Sequence, residues 1–202
     1  TKYFDLLPDE SPLKKKYNYF LTIETEAEKE KVAEELTNLM RAGSIDVNIM
    51  SKLDRTNYAK DGTILSDEFN DAKAALRGYA ESTLTSSIVF SAGFNRTLLG
   101  YLEQFKDFYR DANGKIKKKI IIKVSDFRSA MIQGKFLASK GLEVSEFRIE
   151  SGLNCGGHAF ASQGYLLPSI LKEFKDKRKT LAQEFIPLIK SYYEKQNWTF
   201  NE

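Results

Sequence analysis

The chain is poor in the residues that most often mark a special chemistry or compartment: its 202 residues include one cysteine, one histidine, one tryptophan and four prolines. A single cysteine excludes an intrachain disulfide, and with it the small secreted disulfide scaffold, so a reducing, cytoplasmic setting is expected. One histidine and one cysteine are too few for a metal centre of ordinary ligand count, and no pair has ligand spacing, so no metal is expected. No apolar run approaches the ~20 residues of a membrane span. The polar opening from Thr1 to Lys16, with Pro8 and Pro12, does not resemble a signal peptide. The sequence also lacks an initiating methionine, so the chain is expected either to be processed or to belong to a longer parent. Charge of one sign is scarce too, with 31 basic against 28 acidic side chains. That balance offers no nucleic-acid footprint. The one basic cluster, Lys115-Ile116-Lys117-Lys118-Lys119, follows an Asn113-Gly114 turn and reads first as a solvated strand entry.

What is present is a rhythm of β-rich and helix-periodic stretches. Tyr17 to Thr25 (YNYFLTIET) reads as a strand because aromatic and β-branched residues dominate it. Thr25-Glu26-Ala27-Glu28 fits a capping box, and Val32, Leu36, Leu39 and Met40 follow at helical spacing. Asp46 to Leu53, Ser87 to Gly93, Lys118 to Ser125 and Glu146 to Ser151 read as further strands. Helices are expected from Ser66 to about Ser82, along the Leu98, Leu102, Phe105 and Tyr109 stripe, and from an Asp126 cap to near Gly141. Two more are expected near the end, one through Leu166 to Phe174 and one from Leu181 to Tyr193.

The pattern predicts an α/β fold of parallel βα repeats with about five strands, forming one domain over residues 1–202. Residues 1–16 would be a polar extension and 165–202 would carry the C-terminal helices. Two architectures satisfy it. One is an incomplete segment of a (β/α)₈ barrel, which in full needs about 250 residues. The other is an open, doubly wound, flavodoxin-like sheet. In either, function gathers at the carboxyl ends of the strands. That rule draws attention to Lys52, Asp54, Arg55, Ser91, Asn95, Lys123, Asp126, Arg148 and Glu150. Several have structural readings as well. Asp126 is a helix cap first, Lys52, Asp54 and Arg55 could form a local ion-pair cluster, and Arg148 and Glu150 share one strand face and could pair inside the sheet or barrel. Lys123 must reach a polar layer or a ligand, since an unpaired buried ammonium is costly.

The turn Asn154-Cys155-Gly156-Gly157-His158 stands apart, because it joins the only cysteine and the only histidine through two glycines. Paired glycines let backbone approach a flat or phosphorylated ligand closely, or simply make a tight strand-to-helix turn. His158 either exchanges a proton near neutral pH or serves structure. Cys155 is either a small buried hydrophobe or a nucleophile.

Residues from Lys118 to Phe160, with the Asp46-Val47-Asn48-Ile49-Met50 and Ser87–Asn95 strands, resemble the central part of nitronate monooxygenase-like flavin barrels, a group that includes the FMN-dependent enoyl reductases. The resemblance covers roughly residues 45–160. It implies an FMN-dependent oxidoreductase, or the central segment of one, acting on a small-molecule substrate. Asn154, Gly156, Gly157 and Lys123 would then contact the cofactor and His158 would act as catalytic base. Departures from the family pattern are an absent Ala-Pro-Met opening strand and an absent second glycine-rich loop for the FMN phosphate. The rival expectation is a non-catalytic α/β module whose C-terminal helices, with Phe185, Tyr192, Tyr193 and Trp198 exposed, dock a partner. That partner would be the remainder of a longer parent chain or a second copy; neither a membrane nor a nucleic acid is expected.

Overall fold

The computed structural model describes residues 2–41, 43, 46–49, 54–150 and 166–201. Its contacts fall into two compact units, Thr1–Ser44 and Ile45–Glu202, each with an apolar core of its own.

The first unit is helical: α1 (Lys2–Asp5), α2 (Pro12–Thr22) and α3 (Glu26–Leu39). This corrects the expected strand at Tyr17 to Thr25, most of which is α2. Ser11 is the N-cap of α2, its hydroxyl accepting from Lys14 N at 3.1 Å, and Pro12 takes the first helical position, where its missing N–H costs nothing. Leu13, Tyr17 and Phe20 then recur at the helical period, which places them against Phe4, Ile23, Val32 and Leu36. Phe4 and Tyr17 stack with centroids 4.8 Å apart. Burial of one helical stripe thus outweighs the strand propensity of the individual aromatics. Thr25 does begin α3, but its hydroxyl donates to Glu28 Oε2 at 3.4 Å instead of capping an amide.

The second unit contains four described strands: β1 (Asp46–Ile49), β2 (Ser87–Phe90), β3 (Lys119–Val124) and β4 (Val144–Ile149). They form one sheet in the order β1-β2-β3-β4, and every pair is parallel. The fold class is therefore α/β with a parallel sheet, with four strands among the described residues where about five were expected. Helices α4 (Asp71–Glu81), α5 (Arg96–Tyr101), α6 (Phe127–Ala138) and α7 (Leu167–Lys195) alternate with the strands or follow them. Asn70 caps α4, with its side chain accepting from Ala72 N and Lys73 N; the expected cap, Ser66, instead precedes a short 3-10 turn at Asp67–Phe69. The stripe from Leu98 to Tyr109 is likewise broken, into α5 and 3-10 turns at Leu102–Gln104 and Lys106–Phe108.

The two faces of the sheet follow the period of two. Ile88, Phe90, Ile120, Ile122 and Val124 point into the core beneath the helices, joined at its margin by Val47, Val144, Phe147 and Ile149. The other face carries Asp46, Asn48, Lys119, Lys123, Glu146 and Arg148 around a buried centre of Val89 and Ile121. Lys118, just before β3, breaks the solvated-cluster expectation, because it is fully buried while Lys115, Lys117 and Lys119 are exposed. Its ammonium donates to Tyr79 O at 2.7 Å, Ser82 O at 2.8 Å and Ser82 Oγ at 3.1 Å, and so closes the carboxyl end of α4. Burial holds its pKa below the ordinary lysine value.

The two expected C-terminal helices are one, α7, which continues through the charged stretch from Lys175 to Lys179 and past Pro187. Phe185, Ile189 and Tyr193 are buried, and Tyr192 packs at the margin of the core. Of the four aromatic residues expected to be exposed, Trp198 alone is, at 42%. The stripe that looked available for a partner faces α6 and the sheet instead. Among the described residues no helix is long and apolar enough to cross a membrane.

Candidate functional site

The polar face of the sheet is bent inward. Arg148 Nη2 on β4 meets Asp46 Oδ2 on β1 at 2.5 Å, across the two intervening strands. The register aligns Asp46 with Ser87 and Lys119, but Arg148 with Lys123, four residues further along β3. In a flat sheet, strands at ~4.8 Å and residues at ~3.3 Å would separate these two Cα positions by about 19 Å, beyond the reach of the two side chains. The contact therefore requires a strongly curled sheet whose polar face is concave.

That concave face carries a fixed set of charges. The Arg148 fork also donates through Nε to Glu146 Oε1 at 2.7 Å, and the two carboxylates, Glu146 foremost, push the guanidinium pKa up. Asp46 Oδ1 is buried and has no hydrogen-bond partner among the described residues. At the carboxyl ends of β3 and β4, Lys123 Nζ lies 3.3 Å from Glu150 Oε1. Lys123 thus does reach a polar layer, as the strand pattern required, and its partner is the Glu150 carboxylate. The carboxylates that Arg148 meets are Asp46 and Glu146. Asp46 and Glu146 were missed by sequence reasoning, although the polar alternation Asp46, Asn48 opposite Val47 is the signal that marks β1 as two-faced.

The rest of the carboxyl edge is organised by helix caps. Asp54 accepts from the side-chain amides of both Asn70 and Asn95, which themselves cap α4 and α5. Arg55 lies 3.8 Å from Asp71, so Asp54 and Arg55 belong to a local network at the loop mouth. Lys52 lies outside the described residues. Asp126 caps α6, its Oδ1 accepting from Ser129 N at 2.6 Å. Ser91 reaches this edge from β2.

Asn154, Cys155, Gly156, Gly157 and His158, the centre of the expected chemistry, also lie outside the described residues. The chain leaves β4 at the carboxyl edge, where Glu150 N donates to Val124 O at 2.9 Å. Among the described residues no group of three or more His, Cys, Asp or Glu is placed to hold a metal ion.

Comparison of the chain with protein-family models, curated proteins and solved structures finds no match. The likeness to flavin barrels therefore rests on the residues quoted for it.

The Lys123–Glu150 pair sets one cation and one carboxylate side by side at the carboxyl edge. A phosphate at the start of α6 would meet like charge, because the Asp126 carboxylate already accepts there from Ser129 N.

Proposed function

We propose that the carboxyl edge of this sheet, with Lys123 and the Asn154–His158 turn, forms the ring-binding part of an FMN-dependent oxidoreductase site of the nitronate monooxygenase type. The observation that carries this reading is the Asp46–Arg148 contact over β2 and β3, because a concave, charged inner face is how barrel strands behave. The strand order adds support. Doubly wound sheets reverse direction at a switch point, whereas β1-β2-β3-β4 advances steadily as barrel strands do. The reading is thus of a barrel-like arrangement, with Gly156 and Gly157 close to the ring, Asn154 orienting it and His158 moving a proton at the substrate. A bound flavin supplies the electron chemistry, and the chain supplies placement and proton transfer. Docking through α7 draws no comparable support, because its aromatic stripe is largely consumed by packing.

The test is a parallel titration with FMN and riboflavin, followed by absorbance in the flavin bands. Saturable uptake of either, with turnover of a small nitronate or enone lost in His158→Ala while flavin uptake persists, is the expected result. A preference for FMN over riboflavin would show that the site also holds the phosphate. A colourless protein that takes up neither flavin would overturn the proposal.

A further inference from the structure

At the opposite end of the sheet, before β3 begins, a cleft of about 440 Å³ opens between the 106–117 segment and the chain that follows α7. Its volume falls in the range that accommodates a small organic ligand. We propose that this cleft binds a planar aromatic ring carrying a phosphate, a small molecule of nucleotide type, with the ring against Trp198 and the anion between Lys106 and Lys115.

The charge inventory of the walls argues for the anion. Four cations and two carboxylates line the cleft. Lys117 is paired with Asp107 at 2.7 Å, and Arg110 grips Glu143 through two hydrogen bonds of 2.5 and 2.8 Å. Asp111 is occupied by its own turn, its Oδ1 accepting from Asn113 N and Lys115 N, both at 2.9 Å. Lys106 and Lys115 remain as exposed ammonium groups with no carboxylate partner among the described residues. Asp111 keeps its negative charge, but with two unpaired lysines facing it an entering anion still meets an excess of positive charge, inside a concave surface that strengthens the field.

The aromatic wall argues for the ring. Trp198 keeps 42% of its surface exposed although three tyrosines surround it. Tyr109, Tyr193 and Tyr192 pack roughly perpendicular to the indole at centroid distances of 5.2, 5.6 and 6.2 Å. Its backbone is fixed as well. Trp198 N donates to Tyr193 O at 2.9 Å after a left-handed turn at Asn197, with φ of 57°. Just beyond Phe200 the chain is tied down: Asn201 Nδ2 donates to Ala112 O at 2.7 Å and Arg110 Nη1 to Asn201 O at 2.9 Å. A rigid, half-exposed indole costs little further ordering when a flat ligand covers it. Stacking on such a ring is a common source of affinity for nucleobases and tolerates any base, since each has a π-face.

Trp198 is the only tryptophan, so its fluorescence reports this cleft directly. The experiment titrates the protein with ADP, adenosine and pyrophosphate while following that emission, with calorimetry on the same samples. A saturable ADP signal, at least tenfold tighter than adenosine or pyrophosphate alone, is expected. Lys106→Glu and Lys115→Glu together should weaken ADP more than tenfold, and circular dichroism should be unchanged because both side chains are exposed. No saturable fluorescence change and no heat with millimolar ADP would overturn the proposal. So would pyrophosphate binding as tightly as ADP, which removes the ring, or undiminished ADP affinity in the double variant, which removes the two lysines.

Discussion

Lys118→Met is expected to lower the free energy of unfolding by about 1–3 kcal/mol, since a carbonyl left without its donor costs about that much. The side chain is wholly buried, and its ammonium serves three oxygens at the end of α4. It also lies 4.6 Å from the centre of the Tyr79 ring. Methionine fills similar volume but donates nothing, so Ser82 O loses its Lys118 donor, while Tyr79 O keeps Ser82 N and Ser82 Oγ. Urea denaturation of the two proteins measures the difference. A loss below about 1 kcal/mol, the size of an ordinary exposed contact, would mean that these oxygens are satisfied in another way.

The second large effect lies between α6 and α7. A Cβ at Gly134 would sit 2.2 Å from Phe185 Cζ and 2.5 Å from Cε2, and at Gly141 2.3 Å from Tyr192 Cδ1. The two contacts are seven residues apart on each partner, so α6 and the turn after it run alongside α7 with two aromatic rings laid over bare backbone. Phe185 is buried with Phe147 6.3 Å away and has little room to retreat. Gly134→Ala is therefore expected to destabilise by about 2–3 kcal/mol despite the better helix propensity of alanine, because overpacking costs of that order exceed the helix gain. Gly78→Ala is the control. Gly78 lies on the exposed side of α4 with nothing within 4 Å of a new Cβ, and there the same exchange should stabilise by about 0.5–1 kcal/mol. Thermal melts of both variants, moving in opposite directions, would establish that the close approach and not the glycine content decides the sign.

Much of the sheet was legible because its strands are aliphatic runs bounded by turns. Ser87 to Phe90 and Lys119 to Val124 fall inside the predicted stretches, as does the Asp126 cap that starts α6. The failures have separate physical causes. Tyr17 to Thr25 carries strand-forming residues, but Ser11 and Pro12 start a helix upstream, and a buried helical stripe overrides local propensity. The charged stretch from Lys175 to Lys179 looked like a break, yet charged residues are good helix formers and line the outer side of α7. Phe185 and Tyr193 looked available because a sequence shows an apolar stripe without showing what covers it. The Asp46–Arg148 pair lies 102 residues apart in the chain, and no local pattern announces such a contact. For the glycine-rich turn, the sequence supplies residue types and position, and the carboxyl edge supplies a place for the turn to begin.

The curled, charged face is the observation on which the functional reading stands, and one cross-linking measurement tests it. Arg148→Lys keeps a cation at the end of β4 while adding an amine that a zero-length carbodiimide can join to a carboxylate in contact with it. Peptide mapping by mass spectrometry is expected to find position 148 joined to Asp46, across β2 and β3, as well as to its neighbour Glu146. Linkage to Glu146 alone, with none to Asp46, would mean that β1 and β4 do not approach over a concave face and would contradict the account.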